Sequence, residues 1–206
     1  MIRTVHGQVA CALTSGRVRS ISLVPPNPPV SPEAIQAILD ADWVVFGPGS
    51  WFTSVLPHLK VPELAKALHS TGARRLVILN LAPQVGETAG FSPQEHLEAL
   101  RMHAPSLRID AVLADASVVE DSAELEKAAA ALGARLVLGD VRVTDGSPRH
   151  DGPRLAALLY EIFCVRAPLG RRRDSHTGLK DQKAAWHKGG RSKRYAVQAA
   201  TRAKVD

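Results

Sequence analysis

Short apolar runs alternate with capped amphipathic stretches along most of the chain. From Arg17 to Val24, Val18, Ser20, Ser22 and Val24 alternate with Arg19, Ile21 and Leu23, the period of a β-strand. Pro25-Pro26-Asn27-Pro28-Pro29 ends that run in a stiff loop. Ser31-Pro32-Glu33 marks a helix start, with Ser as cap and Pro at the first helical position. That helix places Ala34, Ile35, Ile38 and Leu39 on one side. Trp43-Val44-Val45-Phe46 is a short apolar strand that ends at Gly47. A helical run follows from Pro62 to Ser70, then an apolar strand from Leu76 to Asn80. Ser92-Pro93-Gln94-Glu95 is a second helix start, and Glu95 completes a capping box for a helix to about His103. Ala111 to Ala114 is a third apolar strand. Ser122 to Leu132 is helical with Gly133 after it, Arg135 to Leu138 is a fourth strand, and Gly152-Pro153-Arg154 opens a last helix to Phe163.

Apolar strands alternating with three-turn helices predict an α/β fold, with a largely parallel sheet covered on both faces. Ligands of such sheets bind beyond the carboxyl ends of the strands. The loops after Phe46, Asn80, Asp115 and Val141 are therefore the places to look for chemistry.

Composition sharpens this picture. A 206-residue chain with 45% hydrophobic residues is globular in character, which excludes a collagen-like or wholly disordered polymer. No apolar run approaches a membrane span, and the first residues lack the apolar segment of a secretory signal. Cys11 and Cys164 stand far apart, so no disulfide framework is expected, and a reducing cytoplasm is the simplest setting. The net charge of +6 suggests nucleic acid until it is divided. Residues 165–206 carry 12 basic and 3 acidic side chains, and residues 1–164 carry 14 and 17. The first 164 residues thus form a mildly acidic body, and the basic character belongs to residues 165–206. That segment, with Arg171, Arg172 and Arg173 among few aliphatics, reads as a disordered tail. Two alternatives stay open: an arm that binds nucleic acid with Trp186 and Tyr195 for stacking, or sequence foreign to the domain.

The loops offer candidate contacts, each with a plainer reading beside it. Gly47-Pro48-Gly49-Ser50 follows a buried strand, and Ser50, Thr53 and Ser54 add hydroxyls near backbone N–H groups. Such a loop suits a phosphate or carboxylate, or it is a tight turn that holds no ligand. In Gly86-Glu87-Thr88-Ala89-Gly90, Glu87 accepts from sugar hydroxyls and Thr88 donates, or the loop is simply solvated. Asn80 ties loops together or holds a ligand. Arg149 suits a phosphate, His150 a polar contact or proton transfer, and Asp151 a helix cap. The eight histidines show no metal spacing, and neither a metal nor a cofactor is expected. No Gly-x-Ser-x-Gly elbow is present.

Two of these segments, in order, carry a family resemblance. Gly47-Pro48-Gly49-Ser50-Trp51-Phe52-Thr53-Ser54-Val55-Leu56-Pro57-His58 resembles the Gly-Pro-Gly-Ser-x-x-Thr-Ser-x-x-Pro signature of the YvcK/CofD-like family. Asn80-Leu81-Ala82-Pro83-Gln84-Val85-Gly86-Glu87-Thr88-Ala89-Gly90-Phe91 resembles its second signature, with Pro83 and Val85 as departures. Arg149-His150-Asp151 sits where the family has a similar triplet. The resemblance covers about residues 5–163. It implies a Rossmann-like three-layer fold. The family's amino-terminal half, with its Gly-rich nucleotide loop, has no counterpart here, so a carboxy-terminal portion with exposed apolar edges and a tendency to self-associate is expected.

The closer branch of the family implies a regulator that binds UDP-N-acetylglucosamine and controls carbon flux to cell-wall precursors and cell shape. Gly47, Gly49, Ser50, Thr53, Ser54, Asn80, Gly86, Glu87, Thr88, Arg149 and His150 are then the candidate ligand contacts. The distant branch implies a 2-phospholactate transferase of deazaflavin cofactor synthesis. That activity needs metal-binding carboxylates, for which Asp115 and Asp140 are the candidates. With no nucleophile–base pair in the sequence, a binding role is favoured over catalysis.

Overall fold

The computed structural model describes residues 3–14 and 17–164, and the backbone of 200–205. Its centre is a parallel sheet of β3 (Trp43–Phe46), β4 (Arg74–Ile78), β5 (Ala111–Asp115) and β6 (Arg135–Gly139), in that spatial order. The register aligns Phe46 with Val77, Val77 with Val112, and Val112 with Leu136. Side chains alternate across a sheet, so this row faces one side. It packs into the main core with Leu68 of α4 (Pro62–Ser70), Leu97 and Leu100 of α5 (Pro93–His103), and Leu125 and Ala129 of α6 (Ser122–Ala131).

The opposite face carries Leu76, Ile78, Ala111, Leu113 and Val137. It is covered by α7 (Gly152–Cys164), whose Leu155, Leu158, Leu159, Ile162 and Phe163 recur at the spacing of one helical stripe. Burying Ile162 alone contributes about 1.5–3 kcal/mol. Trp43 closes this layer, its ring tilted against Phe163 at 5.1 Å and topped at 4.1 Å by the Arg74 guanidinium. Helices on both faces make the three-layer α/β arrangement that the strand–helix alternation predicts.

A second sheet was not expected. β1 (Arg3–His6), β2 (Val18–Val24) and β7 (Ala200–Val205) form an antiparallel sheet in the order β1-β7-β2. The Arg17–Val24 run is thus a strand, but it lies outside the parallel sheet. Arg3 pairs with Val205, and Ile21 with Ala203. The reading of residues 165–206 as a tail outside the fold is corrected at its end, because Ala200–Val205 is the middle strand of this sheet. Residues 165–199, with Trp186, Tyr195 and Arg171–Arg173, lie outside the described residues. α1 (Gln8–Ala12) follows β1, and α2 (Pro32–Asp40) leads into β3. Cys11, Val18 and Ile21 join the main core.

The first helical turn after β3, Trp51–Val55, is π-helical and runs into α3 (Pro57–Lys60). Trp51, Phe52 and Val55 are all buried there. Two of the helix starts follow the caps read from sequence, whereas the Ser31 side chain caps no N–H of α2 and its hydroxyl donates to the Glu33 carboxylate. Ser92 and Glu95 form both halves of the capping box, and Asp151 accepts from the Arg154 N–H at 3.0 Å. No helix among the described residues is long and apolar enough to cross a membrane.

Candidate functional site

The loops after β3 and β4 meet at the carboxyl edge of the parallel sheet, as adjacent parallel strands require. Three side chains from the β4 loop clasp the β3 loop. The Asn80 Oδ1 accepts from the Gly49 N–H at 2.9 Å, and its Nδ2 donates to the Gly49 carbonyl at 2.9 Å. The Gln84 amide donates to the Ser50 hydroxyl at 3.2 Å. The Glu87 carboxylate accepts from the Phe52 N–H at 3.0 Å and from the Thr53 hydroxyl. The Thr88 hydroxyl, fully buried, accepts from the Gln84 N–H at 2.8 Å and closes the loop on itself. Gly47 lies so close to the Ile78 carbonyl that a side chain has no room.

These contacts revise the sequence reading of the loops. Glu87 is only 1% exposed, so it is a buried tie between loops and not a residue of a solvated turn. The N–H groups expected to receive a bound anion receive the protein's own acceptors, Asn80 at Gly49 and Glu87 at Phe52. Gly86 packs against the chain just after α1, near the Ala12 and Thr14 carbonyls. Ser54 is exposed and lines a small apolar cleft with Val44, Phe46 and Gly47. Gly47, Gly49, Ser50, Thr53, Asn80, Gly86, Glu87 and Thr88 thus form one interlocked unit.

The β6–α7 loop brings the other candidates. The His150 ring hydrogen-bonds to the Leu79 backbone, which seats it beside the end of β4; burial lowers its pKa, and the nearby Asp115 carboxylate and that bond oppose the shift. Arg149 is 70% exposed and engaged by Asp145 at 2.7 Å and the Ser147 hydroxyl at 3.0 Å. It extends along its own loop, not across to the clasped pair. Asp115 and Asp140 do not form the carboxylate set a transferase needs. Asp115 accepts from the Ser117 N–H at 2.9 Å, the Val141 N–H at 2.7 Å, the Arg142 N–H at 2.9 Å and the Ser117 hydroxyl at 2.5 Å. Burial pushes its carboxyl up, but these bonds outweigh it and hold the pKa below the usual value. Asp115 is therefore a structural clamp joining β5 to the β6–α7 loop. Asp140 pairs at 2.5 Å with Arg154. No cluster of three metal-ligating side chains exists among the described residues.

A cleft of about 500 Å³ opens beside the clasp, between the start of α5 and the start of α6. Leu79, Asn80 and Phe91 form its floor and sides, and Gln94 and His96 of α5 face Glu120, Asp121 and Glu124. His96 is 5% exposed, held edge-on by Trp51 at 5.4 Å and Phe91 at 5.3 Å. Its Nδ1 meets the Ser92 carbonyl at 2.8 Å. A carbonyl only accepts, so Nδ1 carries the proton and Nε2 presents a lone pair. Sequence reading missed His96, because it weighed that histidine for metal spacing only. The usable signal was a histidine in the first turn of a capped helix at the ligand edge.

His96 and His103 share a pH consequence. Burial lowers both pKa values; hydrogen bonds to Ser92 and Ala99 oppose this, as does Glu95 at His96, while Lys60 adds to the lowering at His103. The unfolded chain then binds more protons than the fold below about pH 6.5, the ordinary histidine value. Stability from the two rings is whole above that pH. It falls as pH drops, by up to about 1.4 kcal/mol per pH unit per ring, until each folded pKa is passed. Urea unfolding from about pH 7.5 down to about pH 5.5 measures this slope. Replacing both rings by Phe should reduce the slope to the part left by His150, whose pKa burial also lowers.

The clasped loops at the carboxyl edge of a parallel sheet define a Rossmann-like α/β domain. The chain belongs to the CofD family: residues 2–145 match the family model described as 2-phospho-L-lactate transferase CofD. Within it, the chain is similar to gluconeogenesis factors. A Mycobacterium tuberculosis protein named as a candidate gluconeogenesis factor is 48% identical over 169 residues, covering 81% of this chain and 49% of the relative. The gluconeogenesis factor of Listeria monocytogenes is 32% identical over 170 residues, covering 77% of this chain and 53% of the relative. The chain thus spans about half the length of the curated relatives it matches. A crystal structure of a UPF0052 family protein from Bacillus halodurans superposes with a TM-score of 0.65 at 26% identity, over 77% of this chain and 58% of that one.

Proposed function

We propose that this chain contributes one wall of a nucleotide-sugar site, as a cytoplasmic regulator of the gluconeogenesis-factor kind. Its ligand is UDP-N-acetylglucosamine, and its output is control of carbon flux to cell-wall precursors and cell shape. One observation carries the binding reading. Buried polar atoms of Trp51, Gln84, Gln94, His96 and His150 have no hydrogen-bond partner among the described residues. Gln94 and His96 line the cleft, Trp51 packs edge-on against His96, the His150 ring bonds to the backbone of the cleft-lining Leu79, and Gln84 belongs to the neighbouring clasp. Such atoms cost about 1–3 kcal/mol each when unmet, and a polar ligand repays that cost. Gluconeogenesis-factor relatives at up to 48% identity support the regulatory part.

A transferase reading has less support. Asp115 is saturated by backbone and serine donors, and Asp140 is held by Arg154. A thermal-shift panel of UDP-N-acetylglucosamine, UDP, GDP and a deazaflavin separates the readings. The regulator reading expects a rise in Tm with UDP-N-acetylglucosamine above that with GDP. A shift with GDP and deazaflavin alone would favour the transferase, and no shift with either UDP compound would sink the regulator reading for this chain.

A further inference from the structure

We propose that the cleft between α5 and α6 takes the uncharged, donor-bearing ring of the ligand, with His96 Nε2 accepting a hydrogen bond from it, and that phosphate stays outside. The nucleotide-sugar reading supplies only the ligand's identity; the chemistry follows from the cleft itself.

The His96 ring is fixed. The Ser92 carbonyl holds Nδ1, and Trp51 and Phe91 hold the faces. Nε2 is left as a buried acceptor without a partner among the described residues. A ligand meets it only by bringing an O–H or N–H. The rest of the lining excludes an anion. Glu120, Asp121 and Glu124 line the cleft, and among the described residues no Lys or Arg does. The two helix starts do not offer free N–H groups to a phosphate in the usual way. Asp121 accepts from the Glu124 N–H at 2.9 Å, and Ser92 accepts from the Glu95 N–H at 3.2 Å. A phosphate here would meet three carboxylates, and like charges at close range repel. Leu79 and Phe91 supply apolar surface for the flat or C–H face of a ring. Sugar hydroxyls and the N–H of a nucleobase are two sources of the same donor chemistry.

The test compares the full chain with His96→Phe, which keeps aromatic packing against Trp51 and Phe91 and removes the acceptor. Both are titrated by calorimetry with UDP-N-acetylglucosamine, UDP, uridine, N-acetylglucosamine and inorganic pyrophosphate. Histidine-labelled NMR follows the His96 imidazole of the parent during the same additions. The expected result is about tenfold weaker binding of the uncharged fragment and of UDP-N-acetylglucosamine by the variant, with pyrophosphate unchanged. Loss with uridine assigns the cleft to the base, and loss with N-acetylglucosamine assigns it to the sugar. Equal weakening of pyrophosphate, or unchanged affinity throughout, overturns the assignment. If the variant fails to fold, the parent decides alone: His96 resonances that no fragment moves overturn it. If a fragment moves them while neither UDP compound binds, the nucleotide-sugar reading fails and the cleft assignment stands. UDP-N-acetylglucosamine binding with unmoved His96 resonances is the reverse case.

Discussion

Glu87→Ala should lower the unfolding free energy by about 3–5 kcal/mol, a large part of the ~5–15 kcal/mol typical of a domain. The side chain is buried and joins two loops that follow different strands. Its removal leaves the Phe52 N–H and the Thr53 hydroxyl without acceptors, at about 1–3 kcal/mol for each buried group. It also opens a cavity beneath the π-helical turn, where Trp51 and Phe52 are fully enclosed. Glu87→Gln is the control. Its carbonyl can still accept from Phe52 and its amide can donate to Thr53, so its cost should stay under about 1.5 kcal/mol. Urea midpoints of the two variants measure the difference. An Ala variant that unfolds with the parent would show that the clasp is not what holds the loops.

Gly86→Ala should be as damaging for a different reason. Gly86 has φ +89°, and a Cβ there would lie 2.5 Å from the Ala12 carbonyl oxygen and 2.8 Å from that of Thr14. The left-handed backbone alone costs about 1–2 kcal/mol for a residue with a side chain. The clash is with backbone on both counts, so no flexible side chain can give way. A total of about 3–5 kcal/mol follows, with residues 12–14 pushed off the loop. Gly90→Ala separates the two contributions. Gly90 has φ +73° with open space around the Cβ position, so only the backbone cost of about 1–2 kcal/mol applies. Thermal unfolding of the pair measures both. Equal losses at the two glycines would mean that the approach of Ala12 and Thr14 does not constrain the fold.

The sequence made legible what local physics decides. α5 declares itself through Ser92, Pro93 and Glu95, and α7 through one apolar stripe, because caps and periodicity lie within a few residues. The apolar runs around Leu76 and Ala111 read as strands for the same reason. What stayed hidden depends on partners far along the chain. Ala200–Val205 has no alternating apolar pattern, and its strand exists through pairing with residues near the start. Glu87 reads as a solvated loop residue until Phe52 and Thr53, 35 and 34 positions earlier, are seen to donate to it. Asp115 looked available for a metal, but its donors come from the turn after β5 and from the β6–α7 loop. In the candidate site the loops were legible as loops, while the division between residues that tie them and residues that face the cleft was not.

The place of β7 between β1 and β2 also sets an order in time. β3 to β6 join neighbours in sequence, so that sheet can assemble progressively as the polypeptide is synthesised. The strand that links β1 to β2 is made after all four strands of the parallel sheet. Until then β1 and β2 each present bare N–H and C=O groups to any passing strand. A polypeptide released within residues 165–199 would therefore carry all four strands of the parallel sheet while its first two strands are still without their mate.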